Sequence, residues 1–156
     1  IYPETSNIQQ ALNLTSNNCG LGLALKSSVA EGTINLDVKV KLAQNYEDVK
    51  LVVYVLENHL FYRQYNYTNY FGAVNPVPNF EHNHVLRASL TNLLGNPLSN
   101  TNFNETITTN FSVPVPANVA NADHLSFVAF VVDANNNVIN VRAAESNEDQ
   151  AFEQNP

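Results

Sequence analysis

A chain of 156 residues with 44% apolar residues is long enough for one domain with a sizeable hydrophobic core. Only 13% of its residues are charged and its formal net charge is -7, which argues against nucleic-acid binding, because phosphate contacts need a surplus of lysine and arginine. No run of about 18 apolar residues occurs, so no helix is predicted to span a membrane.

The single cysteine and the absence of catalytic motifs argue against an enzyme. Cys19 has no second cysteine with which to form a disulfide, a Cys-x-x-Cys redox motif or a zinc site. No charged residue adjoins it, so we interpret it as a small apolar residue rather than a nucleophile. With no G-x-S-x-G motif and no phosphate-binding glycine loop, the sequence predicts a non-catalytic protein that needs no cofactor.

The first twenty residues are predicted to form a helical lead-in to the main domain. Apolar residues recur at helical spacing within residues 4–16, and the Asn- and Gly-containing stretch at 17–20 is suited to ending a helix. Because the sequence begins at Ile1 rather than at a methionine, we expect a processed form or a part of a longer protein.

From residue 21 onward the apolar residues recur with a period of two, which predicts β-strands. The stretch 33–42 alternates apolar and polar residues throughout, so one of its faces is expected in the core and the other in water. The stretches 49–57 and 125–133 are almost continuously apolar, which indicates central strands. The remaining predicted strands are 21–29, 82–90, 103–115 and 138–143.

The number and spacing of these strands predict the fold class. About seven short strands joined by hairpins, with almost no helix between them, are typical of an all-β antiparallel sandwich of immunoglobulin-like type. We expect the sandwich to occupy residues 21–144, between the lead-in at 1–20 and an acidic, frayed tail at 145–156.

Residues 62–80 hold six aromatic side chains but no regular apolar pattern, which predicts a long ordered loop rather than a strand. Tyr65, Tyr67 and Tyr70, together with the amide of Asn66, can form a stacking platform for a sugar or a peptide. The alternative is that these rings cover one end of the sandwich as a satellite of its core.

Two of the four histidines, His82 and His84, lie at the start of the predicted strand 82–90. Alternate residues of a strand share a face, so both rings can ligate one metal ion of the zinc type, provided that a third ligand is near. The alternative is that the histidines are structural and tie the loop at 62–80 to the sheet through hydrogen bonds. The candidate third ligands are Glu57, His59 and Glu81.

A carboxylate and a guanidinium are expected to meet near the same strands. Glu57 ends the predicted central strand at 49–57, and Arg87 lies within the strand at 82–90. We predict an ion pair between them across adjacent strands, which would fix the pairing register of the strands more than add stability.

Several short stretches, in their order and spacing, resemble a known family. They are VYVLE at 53–57, Gln64, HNHVLR at 82–87, Gly95 and FVAFV at 127–131. From roughly residue 21 to residue 143, the chain resembles the Omp28-related outer-membrane protein family of the Bacteroidetes. The stretch HNHVLR following a strand that ends in Glu is the most specific of these matches.

The resemblance implies a secreted or outer-membrane-associated protein on the cell surface or in the periplasm, with an immunoglobulin-like sandwich. Family members often carry a thioredoxin-like domain before this module, so residues 1–20 would be the seam to such an upstream partner. The module's expected role is to bind a protein or glycan ligand. The alternatives are a metal-dependent, possibly hydrolytic site at His82 and His84, and a purely structural spacer.

Overall fold

A computed structural model describes residues 5–14 and 19–153 of the chain. Within these residues the chain forms one α-helix, two short 3-10 helices and ten strands. The 3-10 helices are Tyr70–Ala73 and Ala122–His124. The other elements are α1 (Thr5–Leu14), β1 (Leu21–Ala30), β2 (Thr33–Leu42), β3 (Lys50–Glu57), β4 (Leu60–Gln64), β5 (Val77–His82), β6 (Val85–Ser89), β7 (Asn96–Pro97), β8 (Thr106–Pro114), β9 (Leu125–Val132) and β10 (Val138–Glu145).

The strands form two principal sheets and one separate hairpin. The three-stranded sheet has the order β1-β2-β8, and the five-stranded sheet has the order β10-β9-β3-β6, with the two-residue β7 beside β3. β4 and β5 pair with each other, and all these pairings are antiparallel. The predicted all-β antiparallel class is confirmed, as is the short N-terminal helix.

The two principal sheets enclose one hydrophobic core. The apolar residues of β2 alternate with polar ones, so Ile34, Leu36 and Val38 all point to the same side and are fully buried. Val53 of β3 and Phe127 of β9 belong to the same cluster from the opposite sheet. Burial of each such side chain contributes about 1.5–3 kcal/mol, which makes this cluster the main source of stability.

Two predictions about residues 62–90 are wrong. The stretch at 62–80 is not an irregular loop, because β4 and β5 form a two-stranded hairpin through it; we call residues 60–82 the hairpin arm. The stretch at 82–90 is not one strand, because β5 ends at His82 and β6 begins at Val85. The backbone of His84 between them has a φ of 57°, a left-handed conformation outside the extended region that strand residues occupy.

The predicted frayed tail is also wrong for the part that the structure describes. Residues 146–153 lie along the free edge of β1, where Ser27 N donates to Glu148 O at 2.8 Å and Gln150 N donates to Leu25 O at 2.9 Å. Lys26 Nζ forms an ion pair with Asp149 at 2.7 Å. This segment therefore covers backbone groups that an edge strand would otherwise present to another chain.

The helix predicted at residues 4–16 is present as α1, which spans Thr5–Leu14. Residues 1–4 and the predicted helix stop at 17–18 lie outside the described residues. In the part of the chain that the structure describes, neither α1 nor either 3-10 helix is long and apolar enough to cross a membrane.

Candidate functional site

The hairpin arm leaves the five-stranded sheet at a pair of matching bends. β3 continues into β4 through Asn58 and His59, and β5 continues into β6 through Asn83 and His84. Both histidines have a φ of 57°, so each strand turns sharply at the same level. We call these four residues the Asn-His junction.

Reciprocal hydrogen bonds hold the junction together. The backbone N–H of His59 donates to Asn83 Oδ1 at 2.8 Å, and the backbone N–H of His84 donates to Asn58 Oδ1 at 2.8 Å. Each asparagine thus satisfies an amide that the interrupted strand ladder can no longer bond. The connection between arm and sheet therefore depends on asparagine side chains and histidine backbone rather than on histidine rings.

Two histidine rings contact neighbouring side chains around the junction. His59 Nδ1 lies 2.5 Å from Glu81 Oε1, and its ring meets that of His124 edge-on with 5.0 Å between centroids. The ring of His82 meets that of Phe80 edge-on at 5.1 Å. His82 Nε2 is buried and has no hydrogen-bond partner among the described residues.

The expected metal ligands do not converge. His82 ends β5 whereas His84 lies in the bend, so the two residues do not share a strand face as the sequence predicted. In residues 5–14 and 19–153, no group of three or more His, Cys, Asp or Glu side chains is placed to hold a metal ion. The zinc-type hypothesis thus lacks the third ligand that it requires.

The structure brings Glu57 and Arg87 together at the end of the core. Glu57 follows Val53 and Val55 on the buried face of β3 and is 0% exposed. Arg87 Nε donates to its Oε2 at 2.6 Å, and the Arg87 side chain is 16% exposed. Arg87 is the extra residue of a β-bulge, because Ala88 opposes Val55 while Leu86 opposes Leu56. The bulge directs the guanidinium toward the carboxylate.

Sequence reasoning missed two further partners of Glu57. The backbone N–H of Asn121 donates to Oε1 at 2.7 Å, and that of Ala120 donates to the same oxygen at 2.9 Å. Burial alone would raise the pKa of Glu57, but hydrogen bonds from these two amides and from Arg87 outweigh it, so its pKa is lowered. Glu57 is therefore an ionised anchor for the loop that precedes the second 3-10 helix.

Four aromatic side chains of the hairpin arm face solvent. Tyr67 is 88% exposed and Tyr62 is 63% exposed, while Phe61 and Tyr65 are each more than half exposed. These four rings therefore do not serve as a satellite core. Tyr70 lies in the first 3-10 helix, and its side chain is outside what the structure describes.

The amide of Asn66 is engaged within the tip of the arm. Its Nδ2 donates to Val74 O at 3.2 Å, and its Oδ1 accepts from the backbone N–H and the hydroxyl of Thr68. Asn66 thus shapes the tip of the arm through its own hydrogen bonds.

A cleft of about 360 Å³ lies at the base of the arm, where the arm meets β6. Two of the three arginines of the chain line this cleft. Sequence reasoning did not find this cleft, because Arg63 and Arg87 come together only through the pairing of β4 with β5 and of β3 with β6. The lining residues are Leu60, Tyr62, Arg63, His82, Val85 and Arg87.

A second cleft of about 360 Å³ lies between β1, β10 and the C-terminal segment. Its arginine, Arg142, already donates through Nη1 to Leu23 O at 2.8 Å and to Ala151 O at 2.7 Å. Arg142 therefore holds the C-terminal segment to the edge of β1. The cleft at the base of the arm is the better candidate for binding, because two arginines line it and one of them, Arg63, forms no ion pair in the part of the chain that the structure describes.

These features define a class of protein: an antiparallel β-sandwich domain that projects an aromatic hairpin. The chain matches the model of the family described as outer membrane protein Omp28 over residues 2–150, and it therefore belongs to this family. The resemblance found in the sequence is confirmed, and membership indicates an outer-membrane-associated protein. No match was found among curated proteins or among solved structures.

Proposed function

We propose that this chain is a non-catalytic binding module of an exported protein at the outer membrane, and that the hairpin arm carries its ligand surface. The scaffold we infer is immunoglobulin-like. In such sandwiches strands A, B and E lie in one sheet and strands C, F and G in the other. The orders β1-β2-β8 and β10-β9-β3-β6 fit that arrangement, with β6 as an added strand beside C.

The observation that carries the proposal is the exposure of four aromatic side chains of the arm, Phe61, Tyr62, Tyr65 and Tyr67. Exposed patches of apolar side chains on a protein surface often mark interaction sites. Tyrosine suits this role because its ring offers a large apolar area and its hydroxyl offers a hydrogen bond. Tyr62, Tyr65 and Tyr67 lie along one projecting element, which makes them accessible to a large ligand.

The proposed ligand is a protein or a glycan of the cell surface. From the family resemblance we also propose a partner within the same protein, a domain upstream of this one and of thioredoxin-like type.

The test applies fluorescently labelled protein to a glycan array and to an immobilised outer-membrane fraction. We expect the double variant Tyr65→Ser/Tyr67→Ser to lose at least about tenfold in apparent affinity, since aromatic anchors dominate such interfaces. The matched control is Leu93→Ser/Leu94→Ser, which removes two exposed apolar side chains from the loop between β6 and β7. Equal binding by both double variants, or no binding by the unaltered protein, would favour the spacer alternative.

A further inference from the structure

The cleft at the base of the hairpin arm combines an apolar floor with convergent cationic groups. Leu60 and Val85 supply apolar surface, while Arg63 and Arg87 supply guanidinium groups. The cavity of about 360 Å³ is within the range of small-ligand sites, which are largely apolar with a few placed polar groups.

Several donors in this cleft are not used by the protein. Arg87 donates through Nε to Glu57, and no acceptor is recorded for its two terminal nitrogens within residues 5–14 and 19–153. Arg63 contacts only the ring of Tyr65, with 5.8 Å from its Cζ to the ring centroid, among the described residues.

The charges in the cleft suit a ligand with one negative charge. Two guanidiniums and the Glu57 carboxylate leave one positive charge there. The whole chain carries a formal net charge of -7, so this is a local reversal of sign. The planar guanidinium of arginine binds a carboxylate through two parallel hydrogen bonds, a geometry that the ammonium group of lysine cannot provide.

We propose that the cleft binds the carboxylate of an acidic sugar, a hexuronate unit within an acidic glycan. The sugar is favoured over a peptide carboxylate because the exposed ring of Tyr62 lines the same cleft as the guanidiniums. Tyr65 and Tyr67 continue this series along the arm and offer flat surfaces on which further sugar rings stack. The inference deepens the proposed function and rests on it, since it names the chemistry of the ligand.

The experiment measures binding of tetragalacturonate by calorimetry and by nitrogen-15 NMR of the arginine Nε–Hε groups. Its methyl ester is the matched neutral probe. We expect the ester to bind at least about tenfold more weakly, because it loses the charge-assisted hydrogen bonds. We also expect tetragalacturonate to shift the Nε–Hε signals of Arg63 and Arg87.

Arg63→Gln tests the arginine of the cleft that forms no ion pair with a carboxylate among residues 5–14 and 19–153. We expect it to weaken tetragalacturonate binding at least about tenfold. The control, Lys39→Gln, removes the same charge from β2 in the other sheet, and we expect a change of less than about twofold. Arg63 is exposed, so the thermal midpoint of Arg63→Gln should equal that of the unaltered protein.

Equal weakening by Arg63→Gln and Lys39→Gln, equal binding of acid and ester, or no binding of tetragalacturonate would overturn the inference. Binding of the peptide Ala-Ala-Ala that depends on Arg63, without binding of tetragalacturonate, would reject the sugar and leave a peptide carboxylate. If Tyr65→Ser/Tyr67→Ser abolishes array binding while Arg63→Gln changes nothing, only the cleft inference fails. If that double variant binds normally, the proposed function itself fails.

Discussion

Replacing Arg87 by methionine should destabilise the protein more than any exposed substitution on the same sheet. Methionine keeps the length of the aliphatic stem and removes the guanidinium, so the packing of the stem changes little. The Glu57 carboxylate, which is 0% exposed, would lose the donor that lies 2.6 Å away. It would then be a buried charge without a counter-charge.

The magnitude follows from what remains around the carboxylate. Removing one partner of a buried ion pair costs roughly 3–5 kcal/mol. Glu57 keeps the backbone N–H groups of Ala120 and Asn121, so we expect a loss at the lower end, about 3 kcal/mol. For a domain of this size, 1 kcal/mol corresponds to about 2–4 °C, so the thermal midpoint should fall by about 6–12 °C.

The assay is urea unfolding followed by circular dichroism, with a double-mutant cycle of Arg87→Met and Glu57→Gln. Because each single variant leaves the other group unpaired, the double variant should lose less stability than the sum of the two. We expect a coupling energy of about 1–3 kcal/mol. A coupling below about 0.5 kcal/mol, or a loss below about 1 kcal/mol for Arg87→Met, would refute the idea that this pair anchors the end of the core.

Three other predictions concern acid, backbone strain and the covered edge. The pKa of Glu57 is lower in the folded state than its unfolded value of about 4.3, so the ionised carboxylate stabilises the fold above that pH and this stabilisation is lost as pH falls through the folded-state pKa. Urea midpoints measured from about pH 6 to pH 3 should therefore fall less steeply for Glu57→Gln than for the unaltered protein. His84→Gly should raise the free energy of unfolding by about 1 kcal/mol, because the His84 side chain is exposed and glycine adopts a φ of 57° without strain; an unchanged urea midpoint would contradict this. Deletion of residues 146–156 should expose the edge of β1, and analytical ultracentrifugation should then show self-association that increases with protein concentration. A truncated protein that stays monomeric would show that this segment does not protect the edge.

The strands of the core were predictable because their signal is local. The alternation at 33–42 gives the bounds of β2 as the structure has them, since one face of that strand is buried and the other is wet. The hairpin arm was not predictable in this way. The residues of β4 after Leu60 are exposed on both faces, so burial imposes no alternation on their sequence.

The environment of Glu57 shows the same limit for the candidate site. The sequence suggested Arg87 as its partner, and the structure places the two side chains in contact. The amides of Ala120 and Asn121 lie more than sixty residues along the chain and donate through backbone atoms, for which residue identity carries no signal. Grouping Arg63 with Arg87 likewise requires the bends at the Asn-His junction, and these break the strand that periodicity predicted.

The Asn-His junction also separates two kinds of constraint on the sequence. Below it, β3 and β6 are bonded into a sheet whose buried side chains must fit one another. Above it, in the described part of the chain, β4 and β5 pair only with each other. Substitutions near the tip of the arm therefore alter the proposed binding surface without disturbing the packing of the sandwich. One stable scaffold can in this way carry arms of different sequence, so the chemistry of the arm surface is free to diverge while the fold is kept.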